Sequence, residues 1–84
     1  MDVVRLPFGE LARPEDDCIR LHHLPDGRVR LEGTVLSGEA SASIGGSYYT
    51  SEEAAEAAGL AWANECDVAR IYVARLGPEE VENE

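Results

Sequence analysis

Hydrophobic and polar positions alternate with a period of two from Cys18 to Leu24, with Ile19, Leu21 and His23 on one face and Cys18, Arg20 and His22 on the other. That spacing predicts a strand half-buried on one side. Pro25-Asp26-Gly27 supplies a turn, and alternation resumes from Arg28 to Leu36, with Val29, Leu31 and Val35 opposite Arg28, Arg30, Glu32 and Thr34. After a second turn at Ser37-Gly38, Ala40, Ala42 and Ile44 alternate with Ser41 and Ser43 as a weaker third strand. Gly45-Gly46-Ser47 breaks that strand, with Tyr48 and Tyr49 as an extension beyond the break.

The period then changes. Thr50-Ser51-Glu52-Glu53 reads as a capping box opening a helix that runs to about Glu65. Ala54, Ala57, Ala58 and Ala61, with Leu60 or Trp62, form a low stripe suited to lying against a sheet. Gly59 within it costs up to about 1 kcal/mol relative to alanine, which a close helix–sheet contact offsets. Val68 to Arg75 is the last strand, with Ala69, Ile71 and Val73 toward the core and Arg70 and Tyr72 opposite, and Gly77-Pro78 ends it. At the other end, Val3, Val4 and Leu6 make a short edge strand or arm before Pro7, Gly9 and Pro14.

The resulting order, β-β-β-α-β with an additional N-terminal strand, predicts an α+β fold: an antiparallel sheet of three to five strands with one amphipathic helix on one face. Residues 1–17 form an arm and acidic loop, 18–76 the domain and 77–84 a mobile acidic tail. A chain of 84 residues has room for one small core and excludes a large enzyme fold. A single helix covers one face of the sheet, so the other meets solvent, a partner or a second copy. A register slip of one residue would exchange the two faces.

Charge sharpens this picture. The formal net charge is -10, with 17 acidic residues against seven basic ones, all arginine. It is segregated: residues 18–36 are net positive, whereas 37–67 hold six carboxylates and no arginine. Arg20, Arg28, Arg30 and Arg70 fall on one sheet face with Tyr72, His22, Glu32 and Thr34 among them, a candidate anion- or partner-binding surface. Glu52, Glu53 and Glu56 lie on the helix, reinforced by Glu65, Asp67 and Glu39, as a candidate acidic partner-binding surface. Glu52 and Glu53 also complement the positive helix N-terminus.

Little else carries chemistry. Cys18, His22, His23 and Cys66 have zinc-ligand side chains, but Cys18 and His22 on one strand stand roughly 13 Å apart and His23 points the other way, so no metal site is assigned. The two cysteines read as reduced small hydrophobes. Gly45-Gly46-Ser47 precedes a helix as a phosphate cradle would, yet Glu52 and Glu53 in its first turn repel an anion. No nucleophile with a base and an orienting acid is discernible, and the chain is read as a non-enzyme without a cofactor. With no run of about 20 apolar residues and no secretory core in Met1–Glu10, a cytoplasmic location without membrane contact is expected.

The stretch Tyr49-Thr50-Ser51-Glu52-Glu53-Ala54, its alanine helix and the strand Ile71-Tyr72-Val73 resemble the helix-and-strand half of HicB-like antitoxin domains and other small ββαβ families, over about a third of the chain. No functional residue is carried over. In size and acidity the chain is also similar to phage-encoded inhibitors of bacterial defence, including anti-CRISPR proteins. The expected function is therefore an acidic binding protein that inhibits a nucleic-acid-handling protein by occluding its basic surface. The alternative is a nucleic-acid-binding or homodimerising module that uses the arginine-bearing sheet face.

Overall fold

The computed structural model describes residues 1–36 and 41–78. Five strands and one helix follow in the order β1 (Asp2–Arg5), β2 (Cys18–His23), β3 (Val29–Val35), β4 (Ala42–Tyr49), α1 (Glu52–Glu65) and β5 (Arg70–Leu76). The strands form a single sheet ordered β1-β5-β2-β3-β4. The α+β class stands, but the sheet is mixed rather than antiparallel throughout: β2–β3 and β3–β4 are antiparallel, whereas β5 runs parallel to both β1 and β2. The reason is the helix. A single helical crossover from β4 returns the chain to its starting end, so β5 enters pointing the same way as β4 and β2.

Two connections thus join parallel strands, and they travel in opposite directions across the sheet. From β1 to β2 the chain steps over β5; from β4 to β5 it steps back over β3 and β2. The right-handed rule for such connections places them on opposite faces. The helix lies over Ile19, Leu31 and Gly33, whereas Leu11, Ala12 and Arg13 border hollows with Tyr72, Cys18, Arg20 and Thr34 on the other side. The face opposite the helix is therefore partly covered by the 6–17 connection, which corrects the expectation of a wholly open sheet.

The core sits between sheet and helix. Ile19, Leu21, Val29, Leu31, Val35, Ile71 and Val73 are fully buried, so the alternation gives β2, β3 and β5 their expected inner faces. Ala69, expected beside them, is exposed because the strand begins only at Arg70. On the helix the buried positions are Ala55, Gly59 and Ala63, spaced by four, while Ala54, Ala57 and Ala61 face outward. An alanine-rich helix offers little contrast to mark its inner face, and bulk on the sheet decides instead. Gly59 rests on Ile19 and Leu31, and the Trp62 ring covers Gly33.

Two local readings are also revised. Gly45-Gly46 does not interrupt β4 but forms a β-bulge opposite Glu32, with Gly33 paired to Ile44, Leu31 to Ser47, and Gly46 at a φ of 85°. The helix cap is Ser51, whose hydroxyl accepts from the Ala54 N–H at 3.1 Å, so the residue at the box's reciprocal position is alanine and no carboxylate closes it. The turn expected at Ser37-Gly38, Ala40, Glu39 and the tail beyond Pro78 lie outside the described residues.

Candidate functional site

Strand pairing builds a polar cluster on the face opposite the helix. Arg20 stands directly across from Glu32, and His22 across from Arg30. Glu32 is the hub: Oε1 accepts from Arg20 Nε at 3.4 Å and is bonded to His22 Nε2 at 3.0 Å, while Oε2 lies 3.3 Å from Arg30 Nη2. Arg20 also donates to Cys18 Sγ and Thr34 Oγ1, at 3.2 and 3.3 Å. Partial burial pushes the Glu32 carboxyl upward, but the His22 hydrogen bond, the charges of His22 and Arg30 and the Arg20 hydrogen bond outweigh it and hold the carboxyl below its ordinary value. The bulge does not crowd this group, since even a Cβ on Gly45 would make only ordinary contact with Glu32 Cγ at 3.8 Å.

The predicted arginine surface therefore exists in register but not as one free field. Arg20 and Arg30 share Glu32. Arg28 lies over the Tyr48 ring, 4.7 Å from its centroid, and Nε donates to Asp26 Oδ2 at 2.8 Å. The Arg28 backbone N–H, bonded to Asp26 Oδ1, holds the Asp26 carboxyl below its usual range. Arg70 is at the foot of β5, 4.0 Å from Asp2, and Tyr72 lines the hollow beneath Leu6, Leu11 and Ala12. The 6–17 connection thus separates Arg70 and Tyr72 from the Glu32 cluster.

The helix surface is likewise divided. His23 Nε2 is 2.8 Å from Glu52 Oε1 and Arg75 Nη1 is 3.9 Å from Glu52 Oε2, with Arg75 also donating to the Leu6 carbonyl at 3.0 Å. Glu56 receives the Arg5 guanidinium. Two of the five proposed acidic contacts are therefore bound to the protein's own sheet. Their partners were legible by parity: Arg5 shares a face with Val3, His23 with Leu21, and Arg75 with Val73. Arginine or histidine at the core-facing position of a strand end reaches past the core to the helix.

Glu53, Glu65 and Asp67 are exposed and make no ion pair among the described residues. Glu65 ends α1, whose last turn carries no basic residue, and Asp67 follows in a left-handed conformation at φ 60°. Asp2, Glu15 and Asp16 occupy the same end of the sheet: Asp2 pairs in register with Arg70, and Glu15 and Asp16 line a hollow of about 290 Å³ with Ala69 and Arg70. The carbonyl end of α1 adds to the negative potential there. The acidic surface thus lies chiefly at this pole and less along the helix.

At the opposite end, a cleft of about 460 Å³ at the carboxyl ends of β2 and β5 is lined by His22, His23, Leu24, Arg30, Leu76, Gly77 and Pro78. Both histidines are engaged by glutamates, and among the described residues no serine, threonine or cysteine borders the cleft. Among the described residues no three His, Cys, Asp or Glu side chains gather as a metal site would require. Cys18 and Cys66 are free thiols on opposite sides of the sheet, the first beside Arg20 and the second packed on the core. No described helix is long and apolar enough to cross a membrane.

Compared with known proteins, the chain matches no family model, no curated protein and no solved structure. The local likeness to HicB-like domains accordingly extends to no matched family, and function rests on the geometry above.

Proposed function

We propose that the chain is a non-enzymatic binding protein whose acidic surface occupies a basic surface on a nucleic-acid-handling protein and so blocks it, in the manner of a phage anti-defence protein or an antitoxin. The observation that carries this reading is the pole at the end of α1. There Glu65 and Asp67 make no ion pair among the described residues and stand at the same end of the sheet as Asp2, Glu15 and Asp16. Carboxylates fixed on a rigid frame, with a helix carbonyl end among them, present the potential that attracts arginine- and lysine-lined grooves. Glu53 adds an exposed charge near the start of the helix, while Glu52 and Glu56 serve the fold.

The alternative, nucleic-acid binding through Arg20, Arg28, Arg30, Arg70 and Tyr72, draws less support. Three of those guanidinium groups are engaged by Glu32 and Asp26, and the net charge of -10 opposes a polyanion.

The test is a nuclease-treated pull-down from a bacterial lysate, comparing wild type with the Glu65→Gln/Asp67→Asn double variant. Asparagine is chosen because it tolerates the left-handed backbone. Retention of a nucleic-acid-handling protein by wild type alone, weakening as salt rises, is the expected result. Equal retention by both chains, or recovery of nucleic acid itself in an untreated sample with no protein partner, overturns it.

A further inference from the structure

Of the six elements, β4 alone carries no Asp, Glu, Arg or His: its eight residues are Ala-Ser-Ile-Gly-Gly-Ser-Tyr-Tyr. It is also an edge, paired among the described residues to β3 on one side only. The other edge differs in every respect that discourages pairing. β1 has four residues, two of them charged, and Pro7 follows shortly after. Short length, charge and proline are the devices by which sheet edges avoid one another, and β4 keeps only its bulge.

We propose that β4 pairs with β4 of a second copy of this chain, antiparallel about a two-fold axis, extending the sheet across both copies. Charge selects the occupant. Two chains of net charge -10 repel wherever their carboxylates face each other, and the uncharged strand is the place where close approach adds no like-charge pair. A basic partner protein would gain nothing from a strand with no carboxylate, whereas an identical edge supplies matching backbone donors and acceptors. Ser43 and Ser47, on the two faces of the strand, are exposed, small and uncharged. Assembly also stops at two copies, because the edges left over are the short, charged β1 strands.

The association has an unusual salt signature. Screening weakens the repulsion between acidic copies and leaves backbone pairing intact, so self-association strengthens as salt rises. Binding of a basic partner at the acidic pole weakens under the same change, so the two contacts report separately.

Sedimentation velocity over a concentration series at low and high sodium chloride, with amide hydrogen exchange, tests the proposal. The expected result is a monomer–dimer equilibrium that tightens with salt and slows exchange of β4 amides. Ser43→Lys/Ser47→Lys places cations on the edge while making the net charge less negative, so charge alone would favour association. It is expected to weaken the dimer by about tenfold or more, because two-fold pairing brings the added cations of both copies together along one short edge, and charge on an edge strand discourages pairing. Ala57→Lys, on the outward helix face, introduces a cation away from the edge and is expected to leave the dimer intact. A monomer at all concentrations and salts overturns the proposal, as does a dimer that survives in the serine double variant.

Discussion

Gly33 on β3 and Trp62 on α1 meet so closely that a Cβ on Gly33 would lie 2.6 Å from the Trp62 ring. The ring is wide and stiff, and it is partly buried against the core, so it has little room to give. Gly33→Ala is expected to destabilise by about 1–3 kcal/mol through overpacking. The midpoint of urea unfolding and a shift in Trp62 emission report it together. A stability equal to wild type with unchanged emission would contradict the packing described.

Gly59 gives a contrasting case. A Cβ there would lie 2.7 Å from Ile19 Cδ1 and 3.0 Å from Leu31 Cδ1, both ends of flexible chains. Alanine also gains about 1 kcal/mol in helix propensity. Gly59→Ala should therefore cost clearly less than Gly33→Ala in the same denaturation experiment. The ordering of the two, more than either value, tests which helix face the sheet selects.

Glu32 gives the fold an acid-sensitive contact. Its folded-state value lies below the ordinary 4.5, so its stabilising contribution is fully present above that pH and is lost as pH falls through the lower folded-state value. At neutral pH Glu32→Gln removes the shared partner of Arg20, His22 and Arg30 and should cost about 1–2 kcal/mol. The difference between wild type and variant should shrink as pH falls below 4.5, read from urea midpoints across the acid range. A difference that persists unchanged into strong acid would remove Glu32 from its place as hub.

Backbone conformation at Asp67 makes a separate prediction. Its φ of 60° costs most residues roughly 1–2 kcal/mol, which glycine avoids and asparagine reduces. Asp67→Ala should thus be less stable than Asp67→Asn, and Asp67→Gly at least as stable as either in thermal unfolding.

How much of this was legible in the sequence follows from where the information lies. Period-two alternation in β2, β3 and β5 set their faces correctly because each inner position is a branched or bulky apolar residue against a polar neighbour. The helix face is legible only in part: Ala58, Leu60 and Trp62 pack on the core as expected, but Ala54, Ala57 and Ala61 face outward, because alanine lines every side of α1 and leaves the choice to Ile19, Leu31 and Gly33 on the sheet. Strand order was illegible, since parallel insertion of β5 between β1 and β2 depends on contacts distant in sequence. That insertion also forces residues 6–17 across the face opposite the helix, dividing an arginine surface that parity alone had drawn as continuous. For the acidic surface, net charge told of carboxylates but not of their partners. Parity places Arg5, His23 and Arg75 on the helix-facing side of their strands, but that Arg5 meets Glu56 and that His23 and Arg75 meet Glu52 depends on how the helix is seated.

That last distinction separates folding charge from binding charge. Glu52→Gln/Glu56→Gln withdraws the carboxylates that tie α1 to β1, β2 and β5, so it should lower stability. The cost expected from such surface pairs is about 0.2–1 kcal/mol each. Binding to a basic partner should change little, because those charges were already neutralised within the chain. Glu65→Gln/Asp67→Asn should do the reverse, leaving the unfolding midpoint near wild type while weakening the complex and reducing its salt dependence. Measured side by side on the captured partner, the two pairs remove the same formal charge, so total acidity cannot account for a difference between them. If both pairs weaken binding equally, net charge alone governs the interaction and the pole at the end of α1 has no special part in it. If only the second pair does, the contact surface is located at the helix carboxyl end.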